Sequence, residues 1–491
     1  MYKGGGPAVA VLCAQRDAKG PHRAPARRID ESARRAGCEA ALTDSGVEVT
    51  RTLARFVVEC RPEDIPDVAR CEATRSLVNW MGCALGGAHH EAISRALEAL
   101  TPFAGPPQAT IIGRGGRTDC LHAALLNGMS AHVLDYDDTH LRTLLHPSVP
   151  VASTLLALAE RQLISGRAFL DAFVLGVDVE CRIANAIYAS HNVNWYITGT
   201  AGVFGSAAAA GRVLGLDERR MTSALGIAAT QAAGLREMAG TMCKSFVHGR
   251  AARNGMVAAF LAERGFTSSE RAIEAPRGFA QVLAPGSKLE EIAAELGGRY
   301  EIMLNTYKPY ACGVVCHPVI DACVRLREAH RLQPSMIGVV ALRVHPLALK
   351  LTGIREPRTG LESKWSIYHS AAVAICDGAA GEQEYTDERV RDPVVAEVRG
   401  KVSADEDASL REDEAHVTVA LVDGRALEEH VAHATGSAAN PLSDQGLETK
   451  FRQLAEGVLS QARIDVLLGK CWRVDELPDV GELARLAVPP I

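Results

Sequence analysis

The stretch TAGVFGSAAAAGRVLGL, from Thr200 to Leu216, decides the fold class. Alanine is the strongest helix former, and a surface of alanine and glycine lets a neighbouring helix approach closely. Segments of the same kind lie on both sides of it, among them CLHAALLNGMSAHVL at 120–134 and GRAARNGMVAAFLAERG at 249–265. Their apolar residues recur at three- and four-residue spacing, as a buried helix face requires. Residues 46–303 are therefore predicted to form a large all-α domain.

The composition favours close-packed helices over sheets, because 47% of the 491 residues are hydrophobic and only 5% are aromatic. The net charge of −6 is spread along the chain, so no nucleic-acid partner is expected. Thirteen cysteines at scattered spacings are typical of reduced thiols, which predicts a cytoplasmic location. No apolar run approaches the ~18 residues that a membrane span needs, so no membrane partner is expected.

Changes of pattern predict how the chain is divided. The first forty residues carry eight Lys or Arg against four Asp or Glu, and residues 1–45 are predicted to be a disordered basic extension. Stretches rich in β-branched residues, such as MIGVVALRVHPLAL and HVTVALVDGRALEEHVAHA, indicate strands and predict a smaller α+β domain at 304–440. The helical pattern returns after Asn440, so residues 441–491 are predicted to rejoin residues 46–303. The α+β domain would then be an insertion.

The stretch LDYDDTHLRTLLHPS, residues 134–148, concentrates ionisable side chains between two segments that look built for burial. Asp135, Thr139, Arg142 and His146 belong to it. A solvated loop with helix-capping aspartates is one interpretation. The apolar flanks favour a second, because buried charges need partners and a polar pocket supplies them. We therefore predict that this stretch lines a functional site.

A second group of ionisable residues lies in EMAGTMCKSFVHGRAARNG, where Lys244 and His248 are four apart and share one helix face. Lys308 opens a third segment, YKPYACGVVCHPVIDA. A basic surface patch is the alternative interpretation of these cations. Cations that converge on one pocket predict an anionic substrate with more than one carboxylate. Histidine and lysine with shifted pKa values suit proton transfer next to a carboxylate, as in elimination, decarboxylation, hydration or epimerisation.

These motifs, with TGTAGVFGSAAAAGRVLGL and NPLSDQGLETKF, make the chain resemble the MmgE/PrpD family from about residue 48 to 480. That family includes 2-methylcitrate dehydratase, cis-aconitate decarboxylase and iminodisuccinate epimerase. The resemblance implies a helical domain built from both ends of the chain, with the α+β domain inserted as a lid. It also implies a homodimer and a cofactor-free, metal-free site between the domains for a small polycarboxylate.

The resemblance also implies roles for single residues. Asp135 matches the first aspartate of the family pattern D-x-x-D-T, and Thr139 matches its threonine. His146 matches the histidine of the HPS motif, Lys244 the lysine before the H-x-G segment, and Lys308 the lysine that opens the lid motif.

The chain departs from the family pattern at two positions. Tyr196 stands where dehydratases and decarboxylases often carry histidine, just before the TGTAG segment. His369 stands where they often carry tyrosine ahead of the lid helix, and Tyr368 is adjacent to it. The departures leave the reaction open among the members of the family.

The sequence thus predicts a metal-independent lyase that acts on a small di- or tricarboxylate. An epimerase of the iminodisuccinate type and a non-catalytic helical scaffold are the alternatives. The predicted catalytic residues are Asp135, His146, Lys244 and either His369 or Tyr368. The predicted substrate-binding residues are Thr139, Arg142, Tyr196, His248 and Lys308.

Overall fold

The computed structural model describes residues 48–191 and 194–489, and the extension predicted at 1–45 lies outside the described residues. The chain is mainly α-helical, as predicted. The helices before residue 304 are α1 (Val49–Glu59), α2 (Asp67–Gly87), α3 (Glu91–Leu100), α4 (Cys120–Val133), α5 (Ser148–Ala159), α6 (Gly166–His191), α7 (Ile197–Val213), α8 (Glu218–Ala229), α9 (Cys243–Glu263), α10 (Phe279–Leu283) and α11 (Glu290–Ala293). Those after it are α12 (His317–His330), α13 (Pro346–Thr352), α14 (Gly360–Ser363), α15 (Ile367–Asp377), α16 (Asp387–Arg391), α17 (Pro393–Gly400), α18 (Asp444–Ala455), α19 (Gln461–Trp472) and α20 (Gly481–Leu486).

The strands of the described residues form three small sheets. Two are antiparallel pairs of two-residue strands, β1 (Ala109–Thr110) with β2 (Arg117–Thr118), and β3 (Thr139–His140) with β4 (Asn305–Thr306). The third has the order β6-β5-β7-β8, with β5 (Ile337–Val344), β6 (Val402–Glu406), β7 (Ala415–Leu421) and β8 (Ala426–Val431). In it β5 pairs parallel with β6 and antiparallel with β7, while α12 packs against β7 and β8.

Small residues set the distances between the central helices, as the opening stretch predicts. The helix α7 packs against both α6 and α9, and α9 also crosses α4. A Cβ atom added to Gly128 of α4 would lie 2.8 Å from the Cα of Gly249 on α9. Real Cβ atoms do not approach that closely, so a larger side chain at this crossing would force the helices apart.

The C-terminal helices return to the helices of the N-terminal part. Both α18 and α19 pack against α2, and α20 packs against α5. One cluster of buried apolar side chains accordingly has members from 49–307 and from 447–487, and a second draws most of its members from 311–431. This arrangement supports the proposal that residues 46–303 and 441–491 form one domain and residues 304–440 another.

No helix within the described ranges is both long enough and apolar enough to cross a membrane.

Candidate active site

A short pairing of strands brings together residues that are far apart in the sequence. The helix α4 ends at Val133, and Asp135 then takes a left-handed backbone conformation with φ of 53°, which turns the chain sharply. The chain next enters β3, where Thr139 pairs with Thr306 of β4. Because Lys308 follows β4 by two residues, this pairing places it beside Asp135.

Asp135 is a buried carboxylate shared by two lysines. Its Oδ1 lies 2.7 Å from Lys308 Nζ and 3.0 Å from Lys244 Nζ. The Lys308 ammonium also donates to the Asp135 carbonyl oxygen at 2.9 Å. The Lys244 ammonium is close enough to the carboxylate for an ion pair, but the geometry is not that of a hydrogen bond. It therefore keeps donors that a substrate carboxylate can use.

The pKa values of these three groups follow from burial and from each other. Burial alone would raise the pKa of Asp135, but the two lysines hold it well below its ordinary value. Burial lowers the pKa of Lys244, and the Asp135 carboxylate only partly offsets that effect. Burial also opposes the charge on Lys308, yet Asp135 and Asp137 raise its pKa above the ordinary value. The trio thus carries an excess of positive charge wherever Lys244 is protonated.

Asp137 serves the histidines of the site. Its Oδ2 lies 2.8 Å from His132 Nδ1 and 3.3 Å from His146 Nδ1. The closest oxygen to His146 Nδ1 is the carbonyl oxygen of Asp138, at 2.8 Å. Asp137 and the backbone of Asp138 therefore orient the histidines, whereas Asp135 balances the charge of the lysines.

Three imidazole rings form a stack and an edge contact. The ring of His132 lies parallel to that of His248 at 3.4 Å, and its centroid lies 4.7 Å from that of His146. Burial, the largest cause, lowers the pKa of all three well below the ordinary value. They are therefore neutral at neutral pH.

Oxygen atoms fix the tautomer of each ring. The His248 Nδ1 lies 2.7 Å from the Lys244 carbonyl oxygen, so in all three rings Nδ1 faces an oxygen and carries the proton. Nε2 is then the lone-pair nitrogen, and those of His132 and His248 have no hydrogen-bond partner among the described residues. Such nitrogens can accept a proton from a bound molecule.

Two groups of side chains among the described residues of this site could be considered as metal ligands: His132, His146 and His248, and His132, Asp135 and Asp137. Ring nitrogens of His132, His146 and His248 lie within 4.8 Å of one another, close enough to consider a shared ion. However, His132 and His248 are stacked 14° from parallel, so their in-plane lone pairs cannot both point at one ion between them. Lys244 would also repel a cation, and the arrangement favours an anion.

A cavity of about 50 Å³ opens beside these groups. It adjoins a smaller one, and both are lined by Asp135, Lys244 and Trp365. The larger cavity is lined by six of the predicted site residues, Asp135, Thr139, His146, Tyr196, Lys244 and Lys308. His248 is stacked directly behind His132, which lines the smaller cavity.

Two hydroxyl groups at the cavity are ready to bind a ligand. The buried hydroxyls of Thr139 and Tyr196 have no hydrogen-bond partner among the described residues. Burial, the largest cause, raises the pKa of Tyr196, so its hydroxyl keeps its proton and can donate it. A substrate oxygen would satisfy both groups.

The structure does not support Arg142 as a carboxylate-binding residue. Its side chain is exposed, in the turn between His140 and Leu145, and it is not among the residues that line either cavity. The turn is held by His140, which pairs with Glu301 at 3.2 Å and with Leu145 through the backbone. This anchoring leaves Arg142 on the outer side.

The predicted acid/base residue of the lid is also placed elsewhere. The ring of His369 is occupied on both sides, since Nε2 donates to the Glu384 carbonyl oxygen at 2.9 Å and Nδ1 accepts from Arg399 at 3.3 Å. Tyr368 packs under the guanidinium of Arg355, 4.9 Å from its ring centroid. Neither residue lines the cavities, because their side chains are directed towards Glu384, Arg399 and Arg355 instead.

Other residues at the site were missed by the sequence reasoning. His132 lies three residues before Asp135 on the last turn of α4, and helical spacing towards the aspartate cluster could have indicated it. Arg236 and Trp365 line the larger cavity but belong to no motif. Lys450 lies below the site and donates to the carbonyl oxygens of Tyr136 and Lys308 at 2.6 and 2.9 Å.

The fold and the cavity define a mainly α-helical protein that holds buried lysines and histidines around a pocket suited to anions. Residues 51–292 match the family model of the MmgE/PrpD N-terminal domain, and residues 310–474 match that of the MmgE/PrpD C-terminal domain. The chain belongs to the MmgE/PrpD family. The second match extends through α18 and α19, although both helices pack against α2.

Named relatives cover most of the chain. A cis-aconitate decarboxylase from Aspergillus terreus is 27% identical over an alignment of 474 residues, and the match covers 90% of this chain and 96% of the relative. The cis-aconitate decarboxylase of Mus musculus is 26% identical, over 90% of this chain and 94% of its own. A 2-methylcitrate dehydratase from Cupriavidus necator is 24% identical over 73% of this chain and 79% of its own.

Proposed function

We propose that this chain is a lyase that removes carbon dioxide or water from a small di- or tricarboxylate by proton transfer next to a carboxylate. The observation that carries the proposal is the meeting of Lys244, Lys308 and neutral His146 at one enclosed cavity. The names of the relatives, which are decarboxylases and a dehydratase, support the same class of reaction.

The lysines would hold the substrate. A carboxylate that enters beside Lys244 finds an ammonium whose donors Asp135 does not fully use, and Lys308 lies next to it. Burial strengthens these ion pairs, because the surrounding protein screens them less than water does. The Thr139 hydroxyl would donate to the same substrate.

His146 would move the proton. As a neutral imidazole with Nδ1–H held by the Asp138 carbonyl oxygen, it presents Nε2 as a base. In a dehydration it would remove the proton next to a carboxylate, and the electron pair would form the double bond as hydroxide leaves. In a decarboxylation the electron pair of the broken carbon–carbon bond would stay on the carbon that loses carbon dioxide, and His146, after taking up a proton from solvent, would deliver that proton to it.

Tyr196 replaces the lid residues as the second acid/base group in this proposal. It lines the same cavity as His146, whereas His369 and Tyr368 do not. Its neutral hydroxyl could protonate a leaving hydroxide or an enolate oxygen. Trp365 and Val315 also line this cavity, and their apolar surfaces would help to exclude water once a substrate is bound.

No step of this scheme needs a metal ion, since lysines balance the substrate charge, and we propose that activity survives treatment with a chelator. The homodimer and the cytoplasmic location implied by the sequence are part of the same proposal.

Proton NMR in deuterated water tests the reaction directly. The protein is incubated with cis-aconitate, 2-methylcitrate, citrate and iminodisuccinate in separate samples. A new alkene signal with loss of water or of carbon dioxide supports the lyase. Deuterium that enters recovered substrate with inverted configuration would instead show the epimerase, and unchanged spectra in all four samples would contradict both enzymes.

A further inference from the structure

The ammonium group of Lys244 is buried, yet it has no hydrogen-bond partner in the part of the chain that the structure describes. Two aromatic rings lie near it in addition to the carboxylate of Asp135. Lys244 Nζ is 4.7 Å from the centroid of the Trp365 ring and 5.8 Å from that of the Tyr196 ring. A cation within about 6 Å of an aromatic face is attracted by it, and tryptophan gives the strongest contact. The ammonium is therefore held by one carboxylate and two ring faces.

Trp365 reaches Lys244 from a distant part of the chain. It lies in the short segment between α14 and α15, whereas Lys244 lies in the first turn of α9. The backbone N–H of Trp365 donates to the Glu362 carbonyl oxygen at 3.0 Å, and its carbonyl oxygen accepts from the Ile354 N–H at 3.2 Å. Its side chain is partly exposed and lines both cavities. The indole thus forms a fixed wall beside the ammonium.

Lys364, the residue before Trp365, ties this segment to the turn that carries Asp135. Its buried ammonium donates to the Leu134 carbonyl oxygen at 2.8 Å and pairs with Glu382 at 3.0 Å. Leu134 directly precedes Asp135. One lysine therefore fixes the indole relative to the carboxylate that shares the Lys244 charge.

We infer that Trp365 is a positioning residue, whose indole face holds the Lys244 ammonium at the point where a substrate carboxylate binds. The inference rests on the proposed function, because it concerns how that site holds its substrate. An aromatic face attracts a cation without occupying an N–H donor, so the donors of Lys244 stay available to the substrate. A carboxylate or amide side chain at position 365 would compete with the substrate for them.

The charge on Lys244 depends on all the groups that face it. The carboxylates of Asp135 and Asp137 favour the charge, whereas Lys308 and burial oppose it and burial prevails, so the pKa of Lys244 is lowered. The other charged or titratable side chains that line the cavities or stack on the lining are His132, His146, His248, Tyr196, Arg236 and Lys364. A cation–π contact favours the charged form, so removal of the indole should lower the pKa of Lys244 further.

Calorimetry with tricarballylate tests the inference without turnover. This saturated tricarboxylate has neither a hydroxyl group to lose as water nor the double bond of cis-aconitate. At pH 7, Trp365→Leu should weaken its binding about 10-fold, whereas Trp365→Phe, which keeps an aromatic face, should stay within about 3-fold of the wild type. As the pH rises from about 6.5 to about 9.5, affinity should fall as Lys244 loses its proton. In Trp365→Leu that fall should occur about one pH unit lower than in the wild type, a shift that lost packing alone would not produce.

A double-mutant cycle shows whether Trp365 acts through Lys244. In the Lys244→Met background, the further change Trp365→Leu should alter the affinity for tricarballylate by less than about 2-fold, because no cation remains for the ring to hold. A similar loss in both backgrounds would overturn the inference, since Trp365 would then act on the ligand independently of the lysine. An unchanged affinity in Trp365→Leu alone would overturn it as well.

Trp472→Leu is the matched control, because Trp472 ends α19, is partly exposed like Trp365 and lines neither cavity. It should bind tricarballylate as the wild type does. If Trp365→Leu does not fold, Trp365→Met takes its place.

The same measurements separate this inference from the proposed reaction. A wild type that binds tricarballylate but turns over none of the four substrates tested by NMR would contradict the proposed reaction, and the cycle would still decide the role of Trp365. A wild type that does not bind tricarballylate would contradict the inference, because Lys244 would then hold no carboxylate.

Discussion

At the scale of single residues, the functional character of the site comes from how each polar group is paired. Asp135 contacts two lysines, whereas Asp137 contacts two histidines. Asp135 thus favours the charged form of both lysines, and a lysine cation attracts a carboxylate. The histidines remain neutral bases, since burial lowers the pKa of His146 further than Asp137 raises it.

Replacing His146 by asparagine tests the proposed proton transfer. The amide nitrogen of asparagine can take the place of Nδ1 and donate to the Asp138 carbonyl oxygen, but no Nε2 remains. We expect turnover to fall by at least ~10²-fold, the low end for a lost acid/base group. Thermal unfolding is measured alongside and should change little. Near-normal turnover in a folded variant would remove His146 from the mechanism.

At the scale of secondary structure, glycines let the helices of the core meet. Gly205 of α7 faces Gly176 and Glu180 of α6. The carboxyl group of Glu180 is buried and has no hydrogen-bond partner among the described residues. Burial, with a smaller effect of Asp138, raises the pKa of Glu180 well above its ordinary value, so the group is neutral. Because the neutral carboxyl group of Glu180 packs directly on Gly205, α7 has no space for a larger residue at position 205.

Gly205→Ala should destabilise the protein. Its new Cβ atom would lie 2.8 Å from the Gly176 carbonyl oxygen and would overlap the Glu180 carboxyl group. Because backbone cannot move aside as a side chain can, we expect a loss of about 1–3 kcal/mol in the free energy of unfolding, measured by urea titration.

The matched control for that substitution is Gly400→Ala. Gly400 is the last residue of α17, and a Cβ atom there would meet nothing within 4 Å. The free energy of unfolding of the Gly400→Ala variant should equal that of the wild type or exceed it by less than about 1 kcal/mol. Equal effects of the two substitutions would show that close helix contact does not explain Gly205.

His369 connects α15 to α17 and to the turn at Glu384, and it should make stability depend on pH. Burial, with help from the Arg399 cation, lowers its pKa to about 4, against about 6.5 in an unfolded chain. At pH values between these two pKa values, His369 is protonated in the unfolded chain but not in the folded protein. Stability is therefore lost as pH falls from about 6.5 to 4, by up to about 3 kcal/mol.

His369→Gln separates this structural role from catalysis. The glutamine amide can still donate to the Glu384 carbonyl oxygen, but it does not titrate. Urea titrations should show a smaller loss of stability between pH 6.5 and 4 than in the wild type. Turnover at pH 7.5 should stay within about 3-fold of the wild-type value. A large loss of turnover in the folded variant would instead indicate that His369 takes part in catalysis.

At the scale of the whole molecule, Lys450 joins parts of the chain that are far apart in sequence. From α18 its ammonium donates to Asn79 Oδ1 at 2.7 Å and to the carbonyl oxygens of Tyr136 and Lys308. Burial lowers the pKa of Lys450 to about 8, so it is mostly charged at pH 7. The C-terminal part thus supports the two backbone segments that carry Asp135 and Lys308.

Lys450→Met should destabilise the protein by about 3 kcal/mol or more, because three buried acceptors lose their donor together. Lys470→Met is the control. That lysine, on α19, is paired with Glu482 at 3.0 Å near the surface, and such a pair contributes at most about 1 kcal/mol. Denaturant titration of both variants decides the matter, and similar losses would argue against Lys450 as a central support.

The sequence by itself predicted the class of fold and three of the segments from which the site is built, those that carry Asp135, Lys244 and Lys308. The spacing of small residues predicts helices such as α4 and α7, because helix formation depends on neighbouring residues. The stretch 134–148 can be recognised as a candidate site because its ionisable residues lie between two apolar segments. The position of the domain boundaries stays a prediction, supported by the two hydrophobic clusters.

Only the tertiary structure decided which polar groups face each other. Asp135 and Lys308 are 173 residues apart, and their contact depends on the pairing of β3 with β4. Turn geometry directed Arg142 outwards, and the packing of α15 turned His369 away from the cavity. Sequence spacing cannot fix such choices, because each depends on a partner from a distant segment that competes for the same hydrogen bond or charge.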